Sequence, residues 1–258
     1  MTVVTGIQMA LAWEDPPANF ARALALVERA ADAGARVVAL PEMFATGFSM
    51  KAESMAAHAD ATVSFLAGQA KQRGIHLIGG FADPCPALPR NAAGAFAPDG
   101  TELPRYHKIH PFSLAREHEH FAGGERVFVS QMGDLRICTL ICYDLRFPEP
   151  FRAVAAGTDL FVVIANWPEP RRDAWSTLLR ARAIENQTFV LGVNRIGEGN
   201  GLTYVGDSAL IGPLGEVRAQ ASGCEALVGG EVTHEEVVEV RRRFSFLADR
   251  RPEVYALL

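Results

Sequence analysis

The chain has 258 residues, 49% of them hydrophobic, and carries a formal net charge of −5. That apolar content excludes a disordered chain, and the acidic balance without a basic stripe excludes a nucleic-acid binder. No run approaches the 18 or so apolar residues of a membrane span.

Residues 2–9 form a first apolar strand. Lacking a basic n-region, this start reads as mature structure rather than a signal peptide. Asp15-Pro16-Pro17 opens a helix, since proline is tolerated in a first turn. Phe20, Leu24, Val27 and Ala31 share its apolar face and Gly34 stops it. A buried strand over 36–40 ends at Pro41-Glu42, a helix spans about 62–73 up to Gly74, and a strand covers 75–79. This β-α-β-α-β opening is the pattern of an α/β sheet. Residues 91–96 and 103–109 read as a hairpin around Pro98-Asp99-Gly100, and 127–129 and 135–141 as a second around Gly133-Asp134. A short helix over 148–156 stops at Gly157. There follow a strand at 160–164, a helix at 172–185 and strands at 189–194, 208–211 and 227–232. Thr233 and Glu236 suit a capping box for a last helix, which Arg241-Arg242-Arg243 would close where cations favour the helix dipole. Hairpins among βα units predict mixed sheets. No composition break divides the chain, so residues 1–258 read as one domain.

Four cysteines (85, 138, 142, 224) in a chain this long make no disulfide framework, which points to free thiols and a cytosolic protein. Cys142 ends the apolar strand and precedes a turn, where backbone N–H groups favour a thiolate and can hold an oxyanion. The competing reading is a small buried hydrophobe, the reading given to Cys85, Cys138 and Cys224. The chain has only three lysines, and Lys108 sits among apolar and aromatic neighbours in RYHKIHPF. A buried ammonium there needs a carboxylate, whereas a snorkelling lysine does not. Glu42 follows a buried strand, where open α/β sheets place their sites. An apolar setting would tune it as a general base, although a carboxylate capping its own loop explains it equally.

Together these residues carry a resemblance. PEMFATGF around Glu42, YHKIHPF around Lys108 and CTLICYDLRFP around Cys142, in that order, resemble the three signature segments of the nitrilase, or carbon–nitrogen hydrolase, superfamily. IANWP (164–168), RAIENQ (182–187), NRIG (194–197), YVGDS (204–208) and GPLGE (212–216) extend the match over nearly the whole chain, closest to the ω-amidase (Nit-like) branch. The resemblance implies a four-layer α-β-β-α sandwich and a homodimer or higher homo-oligomer joined across its helical layer. It implies Glu42 as general base, Cys142 as nucleophile, and Lys108 with the Tyr143 N–H as oxyanion stabilisers. A further glutamate is expected in EHEHFAGG, where Glu117 matches best and Glu119 remains an alternative. No cofactor or metal is implied. The expected substrate is a small carboxylate-bearing amide such as 2-oxoglutaramate or 2-oxosuccinamate. The alternatives are deaminated glutathione, N-carbamoyl amino acids and nitriles, or a non-catalytic scaffold on the same fold.

Arg146 is placed to hold a substrate carboxylate or to pair with Asp144 or Glu149. Trp167 and Phe44 are candidate pocket walls, with core packing as the other reading. His107, His110, His118 and His120 match no zinc spacing and read as structural or substrate-side histidines. The glycine-rich 197–201 lacks a phosphate-loop lysine and reads as a hairpin tip.

Overall fold

The computed structural model describes residues 1–255. In chain order the elements are β1 (Thr2–Gln8), α1 (Pro16–Asp32), β2 (Val37–Ala39), α2 (Ala52–Ala56), α3 (Ala59–Arg73), β3 (His76–Asp83), β4 (Arg90–Phe96) and β5 (Tyr106–His107). They continue as β6 (Ser130–Met132), β7 (Leu135–Ile141), α4 (Pro148–Val154), β8 (Leu160–Ala165), α5 (Arg172–Asn186), β9 (Phe189–Asn194), β10 (Ile196–Gly199), β11 (Leu202–Ile211), β12 (Val217–Ser222), β13 (Ala226–Val232) and α6 (His234–Arg243).

One sheet runs β13-β1-β2-β3-β4-β5 and the other β10-β11-β9-β8-β7-β6, with β12 alongside β11. The centres are parallel, β1-β2-β3 in one sheet and β7-β8-β9 in the other, and antiparallel strands flank them, so the sheets are mixed as expected. The period-2 alternation of a strand explains the layers. Val37 and Ala39 of β2 point into the core shared with the second sheet, whereas Val38 and Leu40 point out against Leu26, Val27 and Ala30 of α1 and Leu66 of α3. α5 covers the outer face of the other sheet, with Leu179 against Gly192 of β9 and Ala183 buried. The result is the four-layer α-β-β-α sandwich. A strand buried on both faces reads as a continuous apolar run, which is why LFVVIA of β8 has every residue buried.

Helix boundaries follow their punctuation. Asp15 caps α1 by accepting from the Ala18 N–H at 3.1 Å, and Gly34 and Gly74 take left-handed backbone after α1 and α3. Several expectations need correction. The second hairpin pairs Met132 with Leu135 directly across the Gly133-Asp134 turn, so its first strand is Ser130–Met132 and not 127–129. A two-residue turn fixes the register of its flanking strands. Only half the capping box at α6 forms: Thr233 Oγ1 accepts from the Glu236 N–H, but the Glu236 carboxylate turns to Arg218. Arg241 does more than favour a dipole. Its guanidinium donates to the carbonyls of Ala155, Thr158 and Asn186, tying the ends of α4 and α5 together.

Candidate active site

The parallel strands of both sheets end on the same side, and the chemical side chains stand just beyond their carboxyl ends, where α/β sheets gather their sites. Glu42 follows β2, Cys142 follows β7, Asn166 follows β8 and Asn194 closes β9. Gly80 of β3 lets the Glu42 turn lie on the sheet. A Cβ there would stand 2.7 Å from Glu42 Cα and 2.6 Å from the Met43 nitrogen, so any side chain would push the turn away.

Glu42, Lys108 and Glu117 meet in a dry nest, each essentially inaccessible. Lys108 Nζ donates to Glu42 Oε1 at 3.0 Å and to Glu117 Oε2 at 2.8 Å. Burial opposes the ammonium charge, but Glu117 and Glu42 outweigh it, and the pKa of Lys108 rises above the ordinary lysine value. Glu117 Oε2 also accepts from the Phe112 N–H at 2.5 Å. The two candidate glutamates lie apart, and only Glu117 reaches Lys108. Residues 117–119 form a 3₁₀ turn rather than a strand, which sends Glu117 inward and leaves Glu119 40% exposed and paired with Arg116. Glu42 is not in the apolar setting expected for it. Besides Lys108 it accepts from Asn91 Nδ2 at 2.7 Å and from the Asn166 N–H at 2.8 Å.

Cys142 occupies left-handed backbone at φ 46°, which costs a non-glycine residue roughly 1–3 kcal/mol. Its Sγ lies 3.9 Å from the Asn166 carbonyl oxygen, and the same Asn166 donates its N–H to Glu42. One residue thus spans thiol and carboxylate. No helix N-terminus stands at Cys142 to favour a thiolate. Residues 142–146 make a 3₁₀ turn, and α4 begins only at Pro148. Burial first, then the Glu42 charge, pushes the thiol well above its usual pKa; Lys108 opposes them and Glu117 adds to the rise. Burial and the Glu42 charge both favour the neutral thiol over the thiolate.

Three residues not singled out in the sequence hold this geometry. Asn91 Nδ2 bridges Glu42 Oε1 and Glu117 Oε1 at 2.7 and 2.9 Å. Asn166 is the bridge just described. Buried Asp144 accepts from Tyr106 Oη (2.7 Å), the Ile141 N–H (3.1 Å) and the His110 N–H (3.0 Å), binding the Lys108 segment to the Cys142 turn. Asn166 and Asp144 stood inside recognised motifs; Asn91 carried no signal, being one polar residue in an alanine-rich strand.

The thiol opens into a cavity of about 190 Å³, whose lining includes Phe48, Tyr143, Arg146, Trp167, Arg171 and Tyr204. Phe44 is not among these walls. It is fully buried beneath α3, against Phe20 and Phe65, and Phe48 takes the wall position. Arg146 pairs with neither Asp144 nor Glu149; its guanidinium lies 4.9 Å from the Trp167 ring. Arg171 stacks in the same way on Phe112, at 5.2 Å. Neither has an ion-pair partner among the described residues. The histidines disperse: His107 bonds Asp83, His110 bonds Asp144, and His118 and His120 stay outside the cavity lining. Among the described residues no three His, Cys, Asp or Glu side chains converge as a metal site would require.

Comparison with known proteins agrees with this geometry. The carbon-nitrogen hydrolase family matches residues 3–242. The chain is 40% identical to the omega-amidase YafV of Escherichia coli strain K12 over 93% of both chains. It is 31% identical to the 2-oxoglutaramate amidase of Bacillus subtilis strain 168 over 98% of both. Its fold superposes with a TM-score of 0.92 on XC1258 of Xanthomonas campestris, a CN-hydrolase superfamily protein, at 34% identity and 97% coverage of each chain.

Proposed function

This chain belongs to the carbon–nitrogen hydrolase family, and from that premise we propose that it is an ω-amidase. Its substrate would be the terminal carboxamide of a small carboxylate-bearing molecule, 2-oxoglutaramate or 2-oxosuccinamate being the first candidates. Family membership makes it a hydrolase of non-peptide carbon–nitrogen bonds. The observation that carries the narrower reading is the pairing of a thiol–carboxylate–ammonium cluster with two guanidinium groups that have no ion-pair partner among the described residues. Similarity to named omega-amidases and 2-oxoglutaramate amidases supports the same choice.

In the proposed reaction, Glu42 takes the Cys142 proton as sulfur attacks the amide carbonyl. Covalent catalysis of this kind divides one high barrier into two lower ones. The developing oxyanion faces Lys108 and the Tyr143 N–H, donors already in place before charge appears. Collapse breaks the C–N bond, protonated Glu42 gives its proton to the leaving nitrogen, and ammonia departs from a thioester. Water then attacks while Glu42 accepts a proton, and the acid leaves as Cys142 is reprotonated. Glu117 holds Lys108 in place throughout. Arg146 and Arg171 take the substrate carboxylate, for which a guanidinium has matching donor geometry.

The enzyme is proposed to work in the cytosol, consistent with four free thiols, and as a homodimer joined through its α5–α6 layer. Ile184 of α5 and Val238 of α6 are about half exposed there, as is Leu214 in the loop before β12. Sedimentation velocity tests the assembly: a monomer at micromolar concentration would refute it. Ammonia release from a panel containing both 2-oxo amides, deaminated glutathione and a simple nitrile tests the activity. The expected order puts a 2-oxo amide first; faster release from deaminated glutathione would reassign the substrate.

A further inference from the structure

Arg195 is fully buried, yet no carboxylate lies within ion-pairing distance of it among the described residues. Its Nε donates to the Ile196 carbonyl, and Nη2 donates to the carbonyls of Leu11 (3.0 Å) and Glu198 (2.7 Å), while Nη1 is buried without a partner. Arg182, also buried, has Glu185 at 2.9 Å. Burial alone pulls the Arg195 pKa down to about 10. A buried charge without a counter-ion is a standing cost to the fold, and three carbonyls could be tied together by neutral donors.

The guanidinium lies 4.4 Å from the centre of the Tyr204 ring, and Tyr204 lines the cavity together with Cys142 and Arg171. A cation held against a ring makes that wall electropositive. The Tyr204 hydroxyl bonds to no described residue, and burial pushes its pKa up to about 12. The charges of Arg195 and Arg171 lower it, and those of Cys142 and Glu42 raise it. Tyr204 shares the cavity lining with Cys142 and with the guanidinium groups of Arg146 and Arg171, which have no ion-pair partner among the described residues.

We infer that Tyr204 is a specificity-determining residue whose hydroxyl donates a hydrogen bond to the acid end of the bound amide. Arg195, acting through the Tyr204 ring, is the positioning residue that keeps this wall attractive to anions. The inference rests on the ω-amidase reading for the identity of the substrate.

The test compares succinamate with butyramide, two amides of one length that differ in a terminal carboxylate. The measured quantity is the kcat/KM preference for the acid. Tyr204→Phe keeps the ring over Arg195 and removes the hydroxyl; the preference should fall at least tenfold, with the loss in KM for succinamate rather than in kcat. Arg195→Gln should lower it in the same direction, and Arg195→Lys should recover part of it. An unchanged preference in Tyr204→Phe, or equal losses on both amides, would overturn the inference. Succinate binding to the Cys142→Ala protein, followed by calorimetry, separates this from failure of the activity. If the wild type releases ammonia from neither amide, the ω-amidase reading fails. A tenfold weaker succinate affinity on adding Tyr204→Phe still supports the anion wall, and unchanged affinity or no succinate binding refutes it.

Discussion

Behind Cys142, buried Glu42, Lys108, Glu117 and Asn91 hydrogen-bond to one another, whereas the cavity wall holds the guanidinium groups of Arg146 and Arg171, with no ion-pair partner among the described residues. The inner groups need a fixed geometry, because proton transfer and oxyanion stabilisation depend on donors already in position. In the proposed function the wall's donors are the groups that meet the substrate's charge. Both regions stack their cations on aromatic rings, Lys108 on Phe48 and the two arginines on Trp167 and Phe112. Only the inner one adds carboxylates. Chemistry is therefore expected to fail on changes to the nest, and substrate choice on changes to the wall.

The sharpest break is Cys142→Ala. Ammonia release should drop by about 10⁴-fold or more, as for other removed nucleophiles, while the thermal midpoint stays within a few degrees of wild type. Activity within a few-fold of wild type would end the assignment. Glu42→Gln should lower kcat/KM by about 10²–10⁴-fold, the usual worth of a positioned acid–base group. Lys108→Met should in addition destabilise the fold by about 3–5 kcal/mol in urea unfolding, since it leaves two buried carboxylates without their cation. Equal stability of this variant and wild type would mean that the nest is not electrostatically closed.

On the wall, Arg146→Ala and Arg171→Ala should each raise KM for an acidic amide roughly tenfold, about 1.4 kcal/mol, and leave kcat comparatively intact. A fall confined to kcat would move these residues into the chemistry. The pH dependence separates the regions again. Because burial and the Glu42 charge hold the Cys142 thiol protonated, alkylation of the free enzyme by iodoacetamide should keep accelerating from pH 7 through pH 9. A plateau below pH 8 would indicate a preformed thiolate. The smallest effect belongs to Glu119→Gln, expected to change kcat/KM by less than about twofold, since that carboxylate pairs with Arg116 outside the nest; a loss matching Glu117→Gln would reverse the choice between the two.

Much of this was legible in the chain. Apolar runs, glycine stops and the β-α-β opening indicated mixed α/β sheets, because local periodicity and punctuation decide element type, while the sandwich came only from the family resemblance. Motif residues such as Glu42, Lys108 and Cys142 announced themselves as polar groups at the ends of apolar strands or among apolar neighbours. Phe44 and Phe48 show the limit of such reading. Both flank the same turn, and a positive φ at Met43 combined with the close approach of Gly80 sends one into the core and the other to the cavity. Neither effect is written in a local pattern.

Sequence alone determined the strand and helix order, the polar residues fit for chemistry, and the absence of any charge pattern suited to nucleic acid. Tertiary structure decided the rest. It brought Glu117 and not Glu119 to Lys108, inserted Asn91 and Asn166 as bridges, surrounded the Cys142 thiol with burial and charge that raise its pKa, and set Arg195 against the Tyr204 ring with no ion-pair partner among the described residues. Each of these depends on which groups lie within about 3–5 Å after folding. Hydrogen bonds and burial act over that range in space between residues far apart along the chain, so no reading along the chain alone computes them.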